Sequence, residues 1–302
     1  MVFLSPIASQ GSEMSNQSGT LYVVATPIGN LADIGQRALD ILRSVDLIAA
    51  EDTRQSARLL REYGIQTPMI AYHEHNEAHE ALRLAARIAD GARLALISDA
   101  GTPLVSDPGF RLVREVRRLG FPVVPVPGPC ALICALSGCG LPSDRFLFIG
   151  FPPRGAGQRR VLFQSLAAEP GTLIFYEAGP RVQETLTDLC AVLGEGRHAV
   201  LARELTKLYE TFLEGSPCAL AERLAREPIQ TKGEHVLLVE GAGQQPIRED
   251  AEAERLLRIL LAELPVKQAA GLAARISGGR KNDLYRLALA LAAGQNEQNS
   301  PL

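Results

Sequence analysis

Between Thr20 and Val126 the chain alternates five short apolar runs with longer amphipathic segments, and this rhythm most constrains its fold. LYVVAT (21–26), DLIAAED (46–52), MIAYH (69–73), RLALIS (93–98) and FPVVPVPG (121–128) have the length and β-branched content of strands. The segments GQRALDILRSV, TRQSARLLREYG and NEAHEALRLAARIADG between them repeat apolar residues at helical spacing, as does the stretch from Phe110 to Leu119. Asn76 is a candidate N-cap for the third helix, and Gly91 stands just past its end. Strands that are apolar on both faces and separated by helices predict a parallel sheet covered on both sides.

The texture changes after PVPGPCALICALSGCG (125–140), a proline-set turn into a helix of small residues. FLFIGFPP, GTLIFYEAG, HAVLARELT, YETFLEGS and EHVLLVEG read as strands, with helices at PRVQETLTDLCAVLG and PCALAERLAREP. Adjacent strands flanking Lys207–Leu208 predict a hairpin, hence an α+β half with antiparallel pairing. The expected organisation is a disordered leader (1–19), a parallel α/β domain (20–127), an α+β domain (128–241), a polar linker (242–253) and a helical tail (254–302).

Net charge is −3, so no global field draws the chain to a polyanion, and any such partner must meet a local basic patch. Two regions qualify. The Gly/Arg-rich stretch RGAGQRR carries Arg154, Arg159 and Arg160 with no acid beside them, and reads as a mobile loop. From Arg255 to Arg286 the tail holds seven basic residues, Lys281 among them, against two acidic ones. Five cysteines with no C-x-x-C suit neither a zinc site nor a disulfide framework, so reduced thiols in a cytoplasm are expected. No apolar run reaches the length of a membrane span.

Four motifs stand where strands end, the edge at which open α/β sheets bind ligands. TPIGNLADI (26–34) lacks the G-x-G-x-x-G fingerprint, which leaves a nicotinamide site unsupported. In AAEDTR (49–54), Glu51, Asp52 and Arg54 either contact a polar substrate or, through Asp52 or Thr53, cap the next helix. YHEHNE (72–77) pairs two histidines with two acids, but no third ligand stands at metal spacing, so a capping loop or a polar contact is expected. SDAGTPLVSDPG (98–109) is too long for a plain strand–helix turn. Its Asp99 and Asp107 supply carboxylates, Ala100 and Gly101 permit close backbone approach, and Pro103 and Pro108 stiffen it.

TPIGNL, AAEDTR, SDAGTP…DPG and VPGPCA, in this order, resemble the tetrapyrrole (corrin/porphyrin) methylase superfamily of S-adenosylmethionine enzymes. Within it the chain is similar to the ribosomal RNA small-subunit methyltransferase I family, through GLPSDRF, GTLIFYE, VLARELTK, KGEHVLLVEG, LPVKQAAGLAA and KNDLY, covering about residues 20 to 290. The resemblance implies two α/β domains with a cofactor cleft between them, plus a C-terminal helical extension. It also implies a homodimer that methylates a cytidine ribose 2′-hydroxyl in the decoding region of 16S rRNA within the 30S subunit. The alternative within the superfamily is a precorrin or uroporphyrinogen methylase.

By the same resemblance, S-adenosylmethionine contacts Pro27, Gly29, Asp99, Ala100, Gly101 and Pro103 from the first domain. Tyr176, Glu177 and the Leu201–Ala202 segment meet it from the second. Glu51, Asp52 and Asp107 are the candidate bases, unranked, and no metal is implied. Arg54, Arg154, Arg159, Arg160 and Lys281 are the candidate RNA contacts. One departure is YEAGPR, where Pro180 precedes the arginine and family members often carry His.

Overall fold

The computed structural model describes residues 19–242, 249–277 and 281–298. The expected leader, apart from Gly19, and residues 243–248 of the expected linker lie outside the described residues, while residues 249–253 of that linker are helical.

The first half is β1 (Thr20–Val24), α1 (Gln36–Ser44), β2 (Leu47–Ala50), α2 (Thr53–Glu62), β3 (Met69–Ala71), α3 (Glu77–Ala89), β4 (Arg93–Ile97), α4 (Phe110–Arg118) and β5 (Val123–Val126). Its strands form one parallel sheet in the order β3-β2-β4-β1-β5. The two-residue period of a strand divides the apolar runs between two cores. Ile48, Ala50, Ala95 and Ile97 pack with α1 and α2, while Leu47, Ala49, Leu94 and Leu96 pack with α3 and α4. Because every strand runs the same way, the segments after β1, β2 and β4 all leave the same edge.

The second half is α5 (Ala131–Gly138), β6 (Phe146–Gly150), α6 (Ala156–Leu166), β7 (Thr172–Ala178), α7 (Gly179–Leu193), β8 (Ala199–Arg203), β9 (Thr211–Gly215), α8 (Pro217–Arg226) and β10 (Glu234–Val239). Its sheet order is β6-β7-β10-β8-β9, with β6–β7 parallel and the other pairings antiparallel. The hairpin expected around Lys207 is β8–β9. One face of this sheet packs under α6, α7 and α8 through Phe175, Leu201 and Leu237. The other face, with Ile174, Ala202 and Val236, receives α5 together with Ile28 and Val105 from the first half. Both sheets belong to one compact unit.

Residues from Gly241 onward fall in a second unit, which is helical: α9 (Glu249–Leu261), α10 (Val266–Ser277) and α11 (Lys281–Gln298). Leu257, Ala269, Ala273, Leu284 and Ala288 form its core, in which the alanines let the helices approach closely. Among the described residues no helix is long and apolar enough to cross a membrane.

Two expectations are overturned. Reduced thiols throughout were expected, but Cys190 and Cys218 form a disulfide joining α7 to α8, with Cα atoms 4.8 Å apart. A sequence separation of 28 residues concealed that these helices lie side by side. Cys130, Cys134 and Cys139 are free. The RGAGQRR stretch is also not a loop: Gly155 is the N-cap of α6, and Arg159 and Arg160 lie in the first turns of that helix.

Candidate functional site

The long segment after β4 answers for its composition in its backbone. Gly101 and Gly109 have positive φ (89° and 141°), but so do Leu104 (73°) and Ser106 (66°), where a side chain makes that region costly. The strain is held by contacts at both ends. At the start, Gly101 and Thr26 exchange backbone hydrogen bonds of 2.9 and 3.0 Å, and Thr26 Oγ1 donates to the Ser98 carbonyl at 3.0 Å. At the end, Glu77 Oε1 accepts from the backbone N–H groups of Gly109 and Arg111, both at 3.1 Å, and so caps α4. YHEHNE is thus a capping loop, with Asn76 Oδ1 accepting from His73 N rather than capping α3.

This strained segment and the face of the second sheet enclose a cavity of about 330 Å³. Of the residues expected to bind a cofactor, Asp99, Ala100, Gly101, Tyr176 and Glu177 line it, and of the candidate bases Glu51 and Asp107 do. Asp99 accepts from Asp52 N at 3.0 Å and from Gln55 Nε2 at 3.1 Å. Its own N–H donates to Glu51 Oε2 at 3.4 Å. Burial pushes the Asp99 carboxyl upward against the hydrogen bond from Asp52 N–H, and the charge of the Asp52 carboxylate adds a smaller upward push. Glu51 is raised by burial, and Asp99, Glu74 and Asp52 reinforce that against a backbone hydrogen bond. Burial also raises Asp107, which is further repelled by Glu51 and Asp99, to about 7. Three carboxylates sharing one partly dry cleft favour a ligand that brings positive charge.

The opposite wall combines Phe151, Tyr176, Leu205 and Val236 with Glu234 and His235. Tyr176 accepts a hydrogen bond at its hydroxyl from Leu132 N at 3.1 Å and packs edge-on against Phe148 and Phe151. Burial pushes its hydroxyl pKa upward.

Several expected residues do something else. Asp52 is the N-cap of α2, accepting from Arg54 N at 2.8 Å, and its carboxylate also holds the Arg54 guanidinium. That partner keeps Asp52 below the usual carboxylate range, and it does not line the cavity. Arg54 itself is exposed. Pro27, Gly29 and Pro103 do not line the cavity; TPIGNL contributes Ile28 instead. Gly29 serves a close approach, since a Cβ there would stand 2.5 Å from Lys207 Cγ. Gly101 has no backbone N–H to offer a ligand, because Thr26 takes it.

Strand alternation separates Leu201 from Ala202: Leu201 points under α7 and α8, and only Ala202 shares the cleft-side face. The same alternation turns the Glu177 carboxylate away from the cleft. It accepts from Thr185 Oγ1 at 2.6 Å and from Ala178 N at 2.9 Å, and pairs with Arg181 at 3.3 Å.

The basic stretch is corrected in the same way. Arg159 is buried, with Nε donating to Asp188 Oδ2 at 2.6 Å, and Arg160 Nε donates to Asp188 Oδ1 at 2.6 Å. The acid missing from the local sequence arrives from α7, so Arg159 is a buried structural cation and Arg160 is tied beside it. Arg154 remains exposed. Pro180 occupies the first turn of α7, where its missing N–H costs nothing.

Sequence reasoning missed Ile28, Val105, Ser106, Phe151, Leu205 and Val236 in the lining. Five of them lie within or beside motifs already singled out, Val236 in KGEHVLLVEG among them, so proximity was a usable signal. Phe151 enters only through the turn that follows β6.

Comparison with known proteins agrees with this geometry. The family model for Tetrapyrrole (Corrin/Porphyrin) Methylases matches residues 20–220, and the RsmI C-terminal HTH domain matches residues 248–292. The solved structure of diphthine synthase superposes with a TM-score of 0.57 at 15% identity, covering 74% of this chain and 90% of that one. A cobalt precorrin-4 methyltransferase gives 0.54 at 14%, covering 76% and 98%; both share the fold. The ribosomal RNA small subunit methyltransferase I of Pseudomonas aeruginosa is 57% identical over 275 residues, 90% of this chain and 97% of that protein. Its Escherichia coli O157:H7 counterpart is 52% identical over 281 residues, 93% and 98%. With identity of that order running through both sheets and the helical tail, the chain belongs to the ribosomal RNA small subunit methyltransferase I family, within the tetrapyrrole methylases.

Proposed function

We propose that this protein is an S-adenosylmethionine-dependent methyltransferase that modifies a cytidine ribose 2′-hydroxyl in the 16S rRNA of the small ribosomal subunit. The reading includes action in the cytoplasm as a homodimer on the 30S particle. The observation that carries it is the acid-lined cavity under the strained segment 98–109, in a chain so similar throughout to rRNA methyltransferases.

The cavity fits the cofactor chemically. Glu51, Asp99 and Asp107 suit a ligand bearing an ammonium and a sulfonium, and the Ile28, Tyr176 and Val236 side suits an apolar or aromatic portion. Asp99, Ala100, Gly101 and Tyr176 would hold it. When bound, S-adenosylmethionine would supply an electrophilic methyl carbon on a sulfonium, the ribose oxygen bonding to that carbon as the carbon–sulfur bond breaks in line and neutral S-adenosylhomocysteine leaves. Confinement of the reactants between the two sheets supplies alignment, a large contribution to such a displacement. The 2′-hydroxyl loses a proton as it is methylated, and Asp107 is the group to receive it. A carboxyl with a pKa of about 7 is poised to take a proton near neutral pH, whereas Asp52, held low by Arg54, is a poor acceptor. Arg54, Arg154 and Lys281 remain as RNA contacts, acting on phosphates without reading sequence.

The test is transfer of a labelled methyl group to unmodified 30S subunits, followed by nucleoside analysis of the 16S rRNA. Label in 2′-O-methylcytidine is expected. Label entering a tetrapyrrole and no ribosomal RNA would favour the precorrin or uroporphyrinogen alternative.

A further inference from the structure

The turn that follows β6 is mounted unusually firmly for a piece of cleft rim. Gly150, with φ of 78°, sits where the β6–β7 register shifts, and a bulge of this kind re-aims the residue after it. That residue is Phe151. It lines the cavity, lies edge-on to Tyr176 at 5.7 Å between ring centroids, and is nevertheless 55% exposed. Gly150 also touches the strained segment: a Cβ there would stand 3.2 Å from Ser106 Oγ, next to Asp107.

Two arginines from beneath hold the turn. Arg181 Nη2 donates to the Pro152 carbonyl at 2.7 Å, and Arg159 Nη1 donates to the Arg154 carbonyl at 3.2 Å. Each arginine is anchored by a buried carboxylate, Glu177 and Asp188 respectively. The exposed Arg154, three residues beyond Phe151 along the same turn, makes no ion pair among the described residues and is an available cation. A rigid, half-exposed aromatic ring at the mouth of a cleft, with a free guanidinium three residues on, is the pairing that grips a splayed-out nucleotide. The ring stacks on the base and the cation meets its phosphate.

We infer that Phe151 is the stacking surface for the target nucleobase and that Arg154 binds the adjoining phosphate. This rests on the rRNA methyltransferase reading above. Stacking also explains why the turn is so firmly held, since a ring fixed in advance loses little freedom when a base lands on it.

The experiment compares Phe151→Ala, Phe151→Leu, Phe151→Trp and Arg154→Ala with the wild-type protein. It measures methyl transfer to unmodified 30S subunits and, separately, S-adenosylmethionine affinity by calorimetry. Phe151→Ala and Phe151→Leu should lose about 5- to 100-fold in kcat/KM for the ribosomal substrate, the span expected for one base–aromatic stack. Phe151→Trp should retain most of the activity; in Phe151→Ala and Phe151→Leu the loss in kcat/KM for the ribosomal substrate should far exceed any loss of cofactor affinity, which Arg154→Ala should leave unchanged. Arg154→Ala should raise KM and make the salt dependence of binding shallower by about one phosphate contact. A Leu variant as active as Trp overturns stacking. A parallel fall in cofactor affinity overturns it too, because Phe151 would then be a cofactor wall. A wild-type protein that methylates no ribosomal RNA overturns the parent reading and this one with it. An active wild type with an undiminished Phe151→Ala overturns only this one.

Discussion

Arg159 and Asp188, twenty-nine residues apart, meet inside the second half of the protein through a 2.6 Å hydrogen bond from Nε to Oδ2, with both side chains almost fully buried. The pair turns what reads as an RNA-binding arginine into a strut beneath the cleft rim. Asp188 also holds Arg160, so one carboxylate contacts two cations, and the exposed Glu184 stands 3.7 Å from Arg159 Nη2 as a second acid. Asp188→Ala should therefore leave a buried guanidinium with only the longer contact to the exposed Glu184 and destabilise the protein by about 3–5 kcal/mol. Urea unfolding followed by circular dichroism measures this; a change under about 1 kcal/mol would contradict the role.

The start of α7 is packed to contact. A Cβ on Gly179 would stand 2.2 Å from the Thr231 carbonyl oxygen and 2.7 Å from that of Gly233, and neither is the end of a flexible side chain. Gly179→Ala should cost about 1–3 kcal/mol or more through backbone displacement, seen as a lower Tm. Gly157, which has nothing within 4 Å, should accept Ala without loss.

Asp107 gives a pH signature in stability. Its folded pKa, about 7, lies above the ordinary value of 3.8, so the folded state holds a proton that the unfolded chain has released across that window. Stability of the ligand-free protein should fall as pH rises from about 4 to about 7, since the unfolded state binds fewer protons there. Asp107→Asn should lack this term and melt higher than wild type at pH 8, with the difference vanishing near pH 4. Thermal melts at the two pH values decide it.

The same group gives a signature in catalysis. If Asp107 takes the 2′-hydroxyl proton, kcat/KM for the ribosomal substrate should rise with pH through a value near 7, where the carboxylate ionises. Asp107→Asn should lower the rate by about 10²–10⁴-fold and flatten the profile. An unaltered profile in the variant would assign the proton to water or to Glu51.

Because the helices from Gly241 onward form a unit with its own core, removing them should leave the cavity intact. Truncation after Glu240 should preserve S-adenosylmethionine binding by calorimetry and reduce methylation of 30S subunits. Full activity in the truncated protein would exclude the tail from substrate binding.

The sequence by itself determined the periodic part of this protein. Apolar runs of strand length, separated by segments of helical period, specified the parallel first sheet, because burial on both faces demands that pattern and little else satisfies it. The motifs at the strand ends located Glu51, Asp99, Ala100, Gly101 and Asp107, since parallel strands deliver their carboxyl ends to one edge.

Tertiary structure decided which way side chains face and what meets them. Period-two alternation along β7 and β8 sent Glu177 and Leu201 under the helices, and register is set by strand pairing rather than by local residues. Capping claimed Asp52, because an N-cap carboxylate with an arginine two residues on satisfies its charge locally. The partners of Arg159 and of Cys190 lie 29 and 28 residues away along the chain, and only helix packing brings them together. The raised pKa of Asp107 likewise comes first from burial and from Glu51 on the loop after β2, which act through space and leave no local trace in the sequence; only Asp99 shares its segment.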